Sequence, residues 1–415
     1  MDKLSERQWK RLDVVQRLKR GELTEGEAAR VLGVSDRQVR RIKARIEKLG
    51  RAGVVHGNSE RAPANRLPEG MREKVLRLYW KYRGFNDTHF TEKLVEVEKL
   101  KLSRSTARRI LREAGVRAVR GRRPPRHRKR RDRSAQAGLM ILWDGSRHPW
   151  LEDRGPLLCL MGAVDDATGE LLPGAHFLEQ ESAAGYLTVL LEIAREKGLP
   201  LSAYGDRHGA LQRNDDHWTL EEELRGEQDP TQVGRALAAL SIENIAALSP
   251  QAKGRVERLW GTLQDRLVSE LRLANTRTLE EANHVLQRFR LDYNRRFAKA
   301  AAEATPAWRR VRPGTDLVRI CSFYYEATVQ NDNTVRVARH VIDIPPGPGK
   351  RGYAKVRVEV RQLLDGTWRV YQGDHLLATW GTTALAEARP LKRRKRSAAS
   401  RAFRQAVTRI AFSLP

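Results

Sequence analysis

The chain has 415 residues, too many for one ordinary core, so two to four domains are expected. It carries 79 Lys and Arg against 51 Asp and Glu, a formal net charge of +28, and so basic a chain repels itself unless its partner is a polyanion. No apolar run approaches the ~18 residues of a membrane span and no secretory leader opens the chain. Cys159 and Cys321 lack any zinc-like or paired spacing and read as small core residues. Nucleic acid is therefore the expected partner, not a membrane, and the cytoplasm with its nucleoid the expected place.

Residues 1–50 read as a helix-turn-helix module. Thr24 with Glu27 and Ser35 with Gln38 have the spacing of capping boxes that start two helices. Leu32-Gly33-Val34 supplies the turn. Ala28, Ala29, Val31 and Leu32 are expected to pack on Val39, Ile42 and Ile46. The exposed side of the second helix then offers Arg37, Arg40, Arg41 and Lys43 to phosphates or guanine edges. A plain helical hairpin with a solvated basic face is the alternative; the total charge favours DNA.

Residues 51–67 hold Gly, Pro, Asn and Ser and form a linker. A second helix-turn-helix-like module follows at 68–115, with Val75, Leu78, Tyr79 and Tyr82 on one stripe and Phe90, Leu94 and Val97 on another. Ser103 caps a third helix, with Thr106, Ile110 and Leu111 inside and Arg104, Arg108, Arg109 and Arg112 outside. Residues 116–134 are a basic arm. Arg117–Arg133 alone has nine Arg and one Lys, Arg122 and Arg123 among them. It cannot build a core and suits a path along phosphates.

The composition changes at about Ala135, and 135–315 read as one α/β domain. Leu139–Trp143 is a continuous apolar run, a strand buried on both faces, ending at Asp144-Gly145-Ser146. Leu157–Val164 is a second strand and ends in an Asp165-Asp166-Ala167-Thr168-Gly169 turn, whose aspartates read as structural. Glu170–Leu178 returns as a third. A helix around Tyr186–Ala194 leads to a fourth strand, Leu199–Tyr204, which should lie parallel to the first and stops at Gly205-Asp206-Arg207-His208. Residues 207–229 look like an insertion. Helix 231–240 and strand 241–246 come next.

Ser249–Leu267 then reads as a helix with Ser249 as N-cap and Pro250 in its first turn. Val256, Leu259, Leu263 and Leu267 form its apolar face, with Glu257 beside it. A Lys253–Glu257 ion pair is the plain reading of that glutamate. From residue 316 the period becomes two, with hairpin turns at Asp365-Gly366 and Gly373-Asp374, so 316–385 is expected to be a small β-barrel. Residues 386–415 are a basic tail.

If strands one and four are neighbours, Asp144 and Asp206 share one rim of the sheet, where α/β sites lie. Glu257 at the edge of a packed helix reaches the same rim. Three carboxylates there repel unless a cation lies between them, and Mg²⁺, hard and oxygen-liganded, suits them. Two such ions support phosphodiester chemistry. His148 and His208 follow the aspartates closely and are accessory candidates. Lys253 and Arg258 are candidate phosphate contacts.

The stretches WDGSRHPWLEDRGP, AVDDATGELLPGAHF, LSAYGDRHGAL, SPQAKGRVERLWGTLQDRL and DYNRRFA resemble the DDE transposases of the retroviral-integrase superfamily, and in particular the ISNCY group of bacterial insertion-sequence transposases. The resemblance spans nearly the whole chain and is most specific in SPQAKGRVER. It implies a multidomain α+β protein: helix-turn-helix modules, an RNase H-like core with a mixed sheet, and a C-terminal small β-barrel. It further implies Asp144, Asp206 and Glu257 as a metal-binding triad. Mg²⁺, with Mn²⁺ as substitute, would serve cleavage at the element's terminal inverted repeats and 3′-OH transfer into target double-stranded DNA by a homo-multimer. The DYNRRFA stretch departs by running into an Ala-rich segment. The alternative is a non-catalytic DNA-binding regulator derived from a transposase, for which a lost carboxylate would speak; all three are present.

Overall fold

A computed structural model describes residues 4–55, 66–119, 121, 132–213, 218, 220–246, 254–337 and 339–385. The chain divides into two compact units, 1–77 and 78–415.

In the first unit, α1 (Glu6–Lys19) precedes α2 (Glu25–Leu32) and α3 (Asp36–Leu49). The Thr24–Glu27 capping box forms, with the Glu27 amide donating to Thr24 and the Thr24 amide donating to the Glu27 carboxylate. Gly33 closes α2 at φ +64°, a left-handed position that L side chains avoid. The Ser35–Gln38 box does not form; Ser35 caps α3 without a side-chain bond. Val31, expected inside, is 42 % exposed. Its place is taken by α1, which sequence periodicity left unread. Val14 packs with Ala28, Ala29 and Val39, while Leu12 and Val15 pack with Ile42, Ile46 and Val54. Two short helices bury too little apolar surface alone, and the third completes the core.

The second unit begins within α4 (Met71–Lys81), followed by α5 (Asp87–Glu96) and α6 (Arg104–Glu113). Tyr82, Phe85 and Phe90 pack edge to face. Ile110 and Leu111 are buried as expected; Ala107 rather than Thr106 completes the inner face of α6, and Val97 is exposed.

The core holds a five-stranded sheet in the order β3-β2-β1-β4-β5. β1 (Met140–His148) pairs antiparallel with β2 (Leu158–Asp165), which pairs antiparallel with β3 (His176–Leu178). After α7 (Ala183–Glu196), β4 (Ser202–Gly205) returns parallel to β1, the right-handed crossover result expected of a strand reached through a helix. α8 (Leu220–Arg225) occupies part of the expected insertion and buries Glu222 against Arg213. α9 (Gln232–Ala239) leads to β5 (Glu243–Ala246), parallel to β4. Two corrections concern strand ends. β1 runs on through Asp144 to His148, held by β2 on one side. β3 is much shorter than 170–178, because the chain turns at Gly174, φ +79°.

Helices cover both faces. α7 and α9 pack on Ile141, Trp143 and Ala163. On the other face lie α10 (Gly254–Leu273) and α11 (Leu279–Phe297), where Val256, Leu259, Leu263 and Leu267 are buried as their spacing predicts, with Trp260 beside them. Burial of each such side chain is worth about 1.5–3 kcal/mol. Alternate residues of β1 therefore face opposite layers, Trp143 toward α7 and Leu142 toward α10. Cys159 and Cys321 are buried free thiols, both pushed up to about 12 by burial.

A one-turn helix, α12 (Leu317–Ile320), opens the C-terminal part. There β6 (Phe323–Thr328), β7 (Thr334–Val337), β8 (His340–Asp343), β9 (Arg357–Gln362), β10 (Thr367–Gln372) and β11 (His375–Thr382) follow. The hairpins at Asp365-Gly366 and Gly373-Asp374 form. The expected barrel does not close among the described residues. A four-stranded sheet, β11-β10-β9-β6, is covered by the separate β7-β8 hairpin over a shared core of Val335, Ile342, Val360 and Trp368. Lys355, at φ +67°, lies just before β9, and its amide donates to the Val329 carbonyl.

α5 and its N-cap Asn86 are tied to α10 through polar side chains. Asn86 donates to Asp265 at 2.5 Å, and His89 lies 2.6 Å from Glu270. Lys93 bonds Glu270, and Arg266 grips Glu92 with two bonds of 2.7 and 2.9 Å. Burial works to raise the Glu92 and Glu270 carboxyls, but Arg266 and Arg296 at the first, and His89 and Lys93 at the second, outweigh it and hold both below their ordinary values. A depressed carboxyl stabilises the fold above its unfolded pKa, about 4.3, and that stabilisation is lost as the pH falls through the folded value. Acid titration read by protease cleavage at the 83–87 turn should show this contact opening only below about pH 4. Opening at pH 6 would contradict the assignment.

Candidate active site

The parallel ladder decides where the two aspartates stand. Met140 lies opposite Ser202, Ile141 opposite Ala203 and Leu142 opposite Tyr204. Asp144 follows two residues on in β1, on the α10 face of the sheet, and Asp206 is the first residue past β4. β4 ends at Gly205, where a Cβ would come 2.4 Å from Leu211 and 2.8 Å from the Trp143 indole nitrogen, so only glycine lets the chain leave the sheet there. Asp206 then accepts a 2.9 Å bond from the His208 amide, which fixes its side chain in the turn.

A third carboxylate, absent from the sequence reading, joins them. Glu181 immediately precedes Ser182, the N-cap of α7. One oxygen each of Asp144, Glu181 and Asp206 lie within 4.8 Å of one another. Tyr186, one turn into α7, donates its hydroxyl to Glu181. His208 Nδ1 lies 3.6 Å from the same carboxylate. Burial, and then the charges of Asp144 and Asp206, push the Glu181 carboxyl upward against the pull of Tyr186 and His208. Burial and Glu181 push the Tyr186 phenol up in turn. A hard divalent ion with oxygen ligands fits three carboxylates this close together. Glu181 lies in a Glu-Gln-Glu-Ser stretch that reads as an ordinary polar turn; its place directly before a helix cap, on the return toward β4, was the available signal.

α10 closes the site from the other side. Trp260 donates from its indole nitrogen to Asp144 at 3.2 Å, and Gln264 reaches the Ser146 hydroxyl at 3.3 Å. Trp260 is thus both packing and a bonded partner of the aspartate. Glu257, Trp260 and Gln264 are spaced i, i+3, i+7 and share one stripe. Glu257 sits exposed in the first turn, a turn before Trp260, and is not part of the three-carboxylate cluster. Arg255 anchors that turn by pairing with buried Asp166. Asp166 also accepts from Ser134, and Asp165 from Gly138 and Thr168, the structural roles expected of both.

The remaining candidates scatter. His148 ends β1, about 13 Å along the strand from Asp144, with its ring 5.2 Å from that of Trp150. Arg258 is exposed and bonds back to the Gly254 carbonyl. Arg37, Arg40 and Arg41 are exposed on α3, where Arg40 lies 3.4 Å from Glu25, and Lys43 is half-buried. Arg104, Arg108 and Arg109 are exposed on α6, Arg108 being 3.9 Å from Asp87. Lys253, Arg122 and Arg123, like Ser249 and Pro250, lie outside the described residues.

With this geometry in place, the relatives are informative. "Putative transposase y4bF" of Sinorhizobium fredii is 38% identical over 377 residues, covering 90% of this chain and 80% of the relative. The chain belongs to the insertion-sequence transposases. The transposase of insertion sequence IS1202 from Streptococcus pneumoniae is 32% identical over 319 residues, 68% of this chain and 67% of the relative. Residues 11–73 match the winged helix-turn helix family. Among solved structures, the magnesium complex of the HTLV-2 integrase catalytic core is 17% identical with a TM-score of 0.26, covering 37% of this chain and 86% of that one. A simian T-cell lymphotropic virus intasome is 15% identical with a TM-score of 0.30, covering 77% and 100%. The strand order, not these superpositions, gives the transposase core its RNase H-like character.

Gly145 tests the cluster. A Cβ there would meet the Glu181 carboxylate oxygen at 2.5 Å. Gly145→Ala should displace Glu181 and weaken Mn²⁺ binding, followed by electron paramagnetic resonance, by about tenfold, the range seen when groups supporting a metal site are lost. Unchanged Mn²⁺ affinity in a folded variant would remove Glu181 from the site.

Proposed function

We propose that this transposase cuts the phosphodiester at the terminal inverted repeats of its own element and joins the freed 3′-OH to target DNA. The observation that carries the reading is the meeting of the Asp144 and Asp206 carboxylates, within 4.8 Å of one another, on and just beyond two neighbouring parallel strands in a chain of this family. Asp144 and Asp206 would hold divalent metal, with Glu257 as the third ligand and Glu181 within reach of both aspartates. Mg²⁺ there, two ions by the usual logic of such sites and replaceable by Mn²⁺, supplies Lewis acidity and neutralises developing phosphate charge.

The chain's own groups position the reactants. The aspartates face the α10 layer, and Trp260 fixes one oxygen of Asp144 so that the other is turned to the rim. His208, beside Asp206 and Glu181, would orient water or phosphate, and His148 would be an accessory contact to the neighbouring DNA backbone. In the first step a water oxygen bonds to phosphorus and the 3′-oxygen leaves with a proton. In the second, that 3′-OH attacks a target phosphodiester and displaces the target's own 3′-oxygen. Bonds made and broken balance in each step, so no nucleotide fuel is required. Joining two ends requires a homo-multimer on DNA. α3 with Arg37, Arg40, Arg41 and Lys43, α6 with Arg104, Arg108 and Arg109, the arm with Arg122 and Arg123, and Lys253 and Arg258 would contact the duplex. The chain is then divided into modules at 1–50 and 68–115, linkers at 51–67 and 116–134, a core at 135–315, a β-rich C-terminal part at 316–385 and a tail at 386–415. The protein works at the nucleoid. No described helix is long and apolar enough to cross a membrane.

Asp144→Asn and Glu257→Gln should each abolish cleavage of labelled element ends in Mg²⁺ while leaving band-shift affinity within about twofold; cleavage by either variant at the wild-type rate would overturn the triad. If about eight phosphates are neutralised, a fourfold rise in salt should weaken DNA binding by about four decades, and a flat salt response would overturn the nucleic-acid reading.

A further inference from the structure

Beyond the rim, the densest set of charged side chains in the described second unit lies between α5 and the paired helices α10 and α11. Arg266 on α10 is 7 % exposed and clasps both oxygens of Glu92 on α5. Arg296 on α11 lies 3.4 Å from Glu92 and clasps both oxygens of Glu96, one turn further along α5, at 2.6 and 2.7 Å. The result is an alternating lattice, Arg266–Glu92–Arg296–Glu96, across three helices. One turn beyond Arg266, Glu270 takes Lys93 at 2.7 Å with both side chains less than a fifth exposed. Planar guanidinium forks on carboxylates fix direction as well as distance. An apolar contact of this size would tolerate sliding; this one has a single register.

We propose that α5 is a brace for catalysis: its ion-pair lattice makes α5 and α6 a fixed part of the catalytic body, and so sets which phosphodiester of a bound end meets the carboxylates. Two placements support this. Arg266 is nine residues from Glu257 on the same helix, about 13.5 Å along one rigid rod, so a shift at the lattice moves Glu257. α6 packs on α5, and Arg112 of α6 bonds Asp87 in the first turn of α5, so the exposed basic face of α6 is carried by the same brace. DNA gripped by α6 is thereby held at a set distance from Asp144 and Asp206. Glu92, Lys93, Arg266 and Glu270 are positioning residues that touch neither substrate nor metal. The inference rests on the strand-cleavage reading given above.

The test exchanges one pair. Lys93→Glu and Glu270→Lys each place like charges together; the double exchange restores opposition. Linear duplexes carrying the two ends of the chain's own insertion sequence are incubated with each full-length variant in Mg²⁺, and the cut position is mapped at nucleotide resolution beside band-shift affinity and thermal unfolding. Each single variant is expected to lose at least tenfold in the ratio of correct to neighbouring cuts, with affinity within about threefold, and the double variant to recover most of that ratio. If a single variant does not fold, Glu96→Gln at the lattice's edge replaces it, with a threefold loss of accuracy at unchanged melting temperature expected. Single variants that cut at one position with wild-type accuracy would overturn the brace, as would a double variant that regains stability but not accuracy. An Asp144→Asn control that still cuts would instead overturn the strand-cleavage reading and leave the lattice a structural contact only.

Discussion

Three carboxylates whose oxygens lie within 4.8 Å of one another set the terms for the rest of the catalytic unit. Like charges that close are unfavourable, and the charges of Asp144 and Asp206 add to the upward push that burial exerts on Glu181. The fold holds them together because none can move away. Asp144 is fixed by a ladder on β2 and by Trp260; Asp206 by a glycine-dependent exit from β4 and the His208 amide; Glu181 by the cap of α7 and Tyr186. Such an arrangement stores repulsion that a divalent cation relieves, in a protein whose other surfaces are strongly basic and suited to the polyanion it would cut.

α10 links this rim to the remainder of the chain. Its apolar stripe packs on the sheet, its Trp260 and Gln264 reach β1, its first turn is pinned to Asp166, and its second half carries the lattice to α5. Glu257 therefore sits on a rod held at several points, one turn short of the residue that bonds Asp144. Its side chain is exposed.

How much of this could be read in the sequence depends on whether local pattern or tertiary contact decides. Asp144 and Asp206 were legible because continuous apolar runs mark buried strands and a helix between two of them dictates parallel pairing, which puts their carboxyl ends together. The α10 stripe was legible from its spacing. The extension of β1 past Asp144 was not, since Gly145, Ser146 and Arg147 look like a turn and are held only by β2 across from them. Glu181 was missed because a glutamate before a helix cap has no periodicity to betray it. α1 and the unmade Ser35 box show the same limit: capping spacing is local, whereas the choice of core partner is not. The alternation over 354–361 marks β9 but not the pairing of its sheet, which stays separate from the β7-β8 hairpin among the described residues.

The central claim is that Glu257 completes the site begun by the two aspartates. Anomalous diffraction from crystals of the transposase bound to an element end and Mn²⁺ measures it most directly. The account predicts manganese against Asp144 and Asp206 with a Glu257 carboxylate oxygen at about 2.1 Å from an ion. Manganese held by Asp144, Glu181 and Asp206 alone, with Glu257 turned to solvent in the DNA complex, would contradict it.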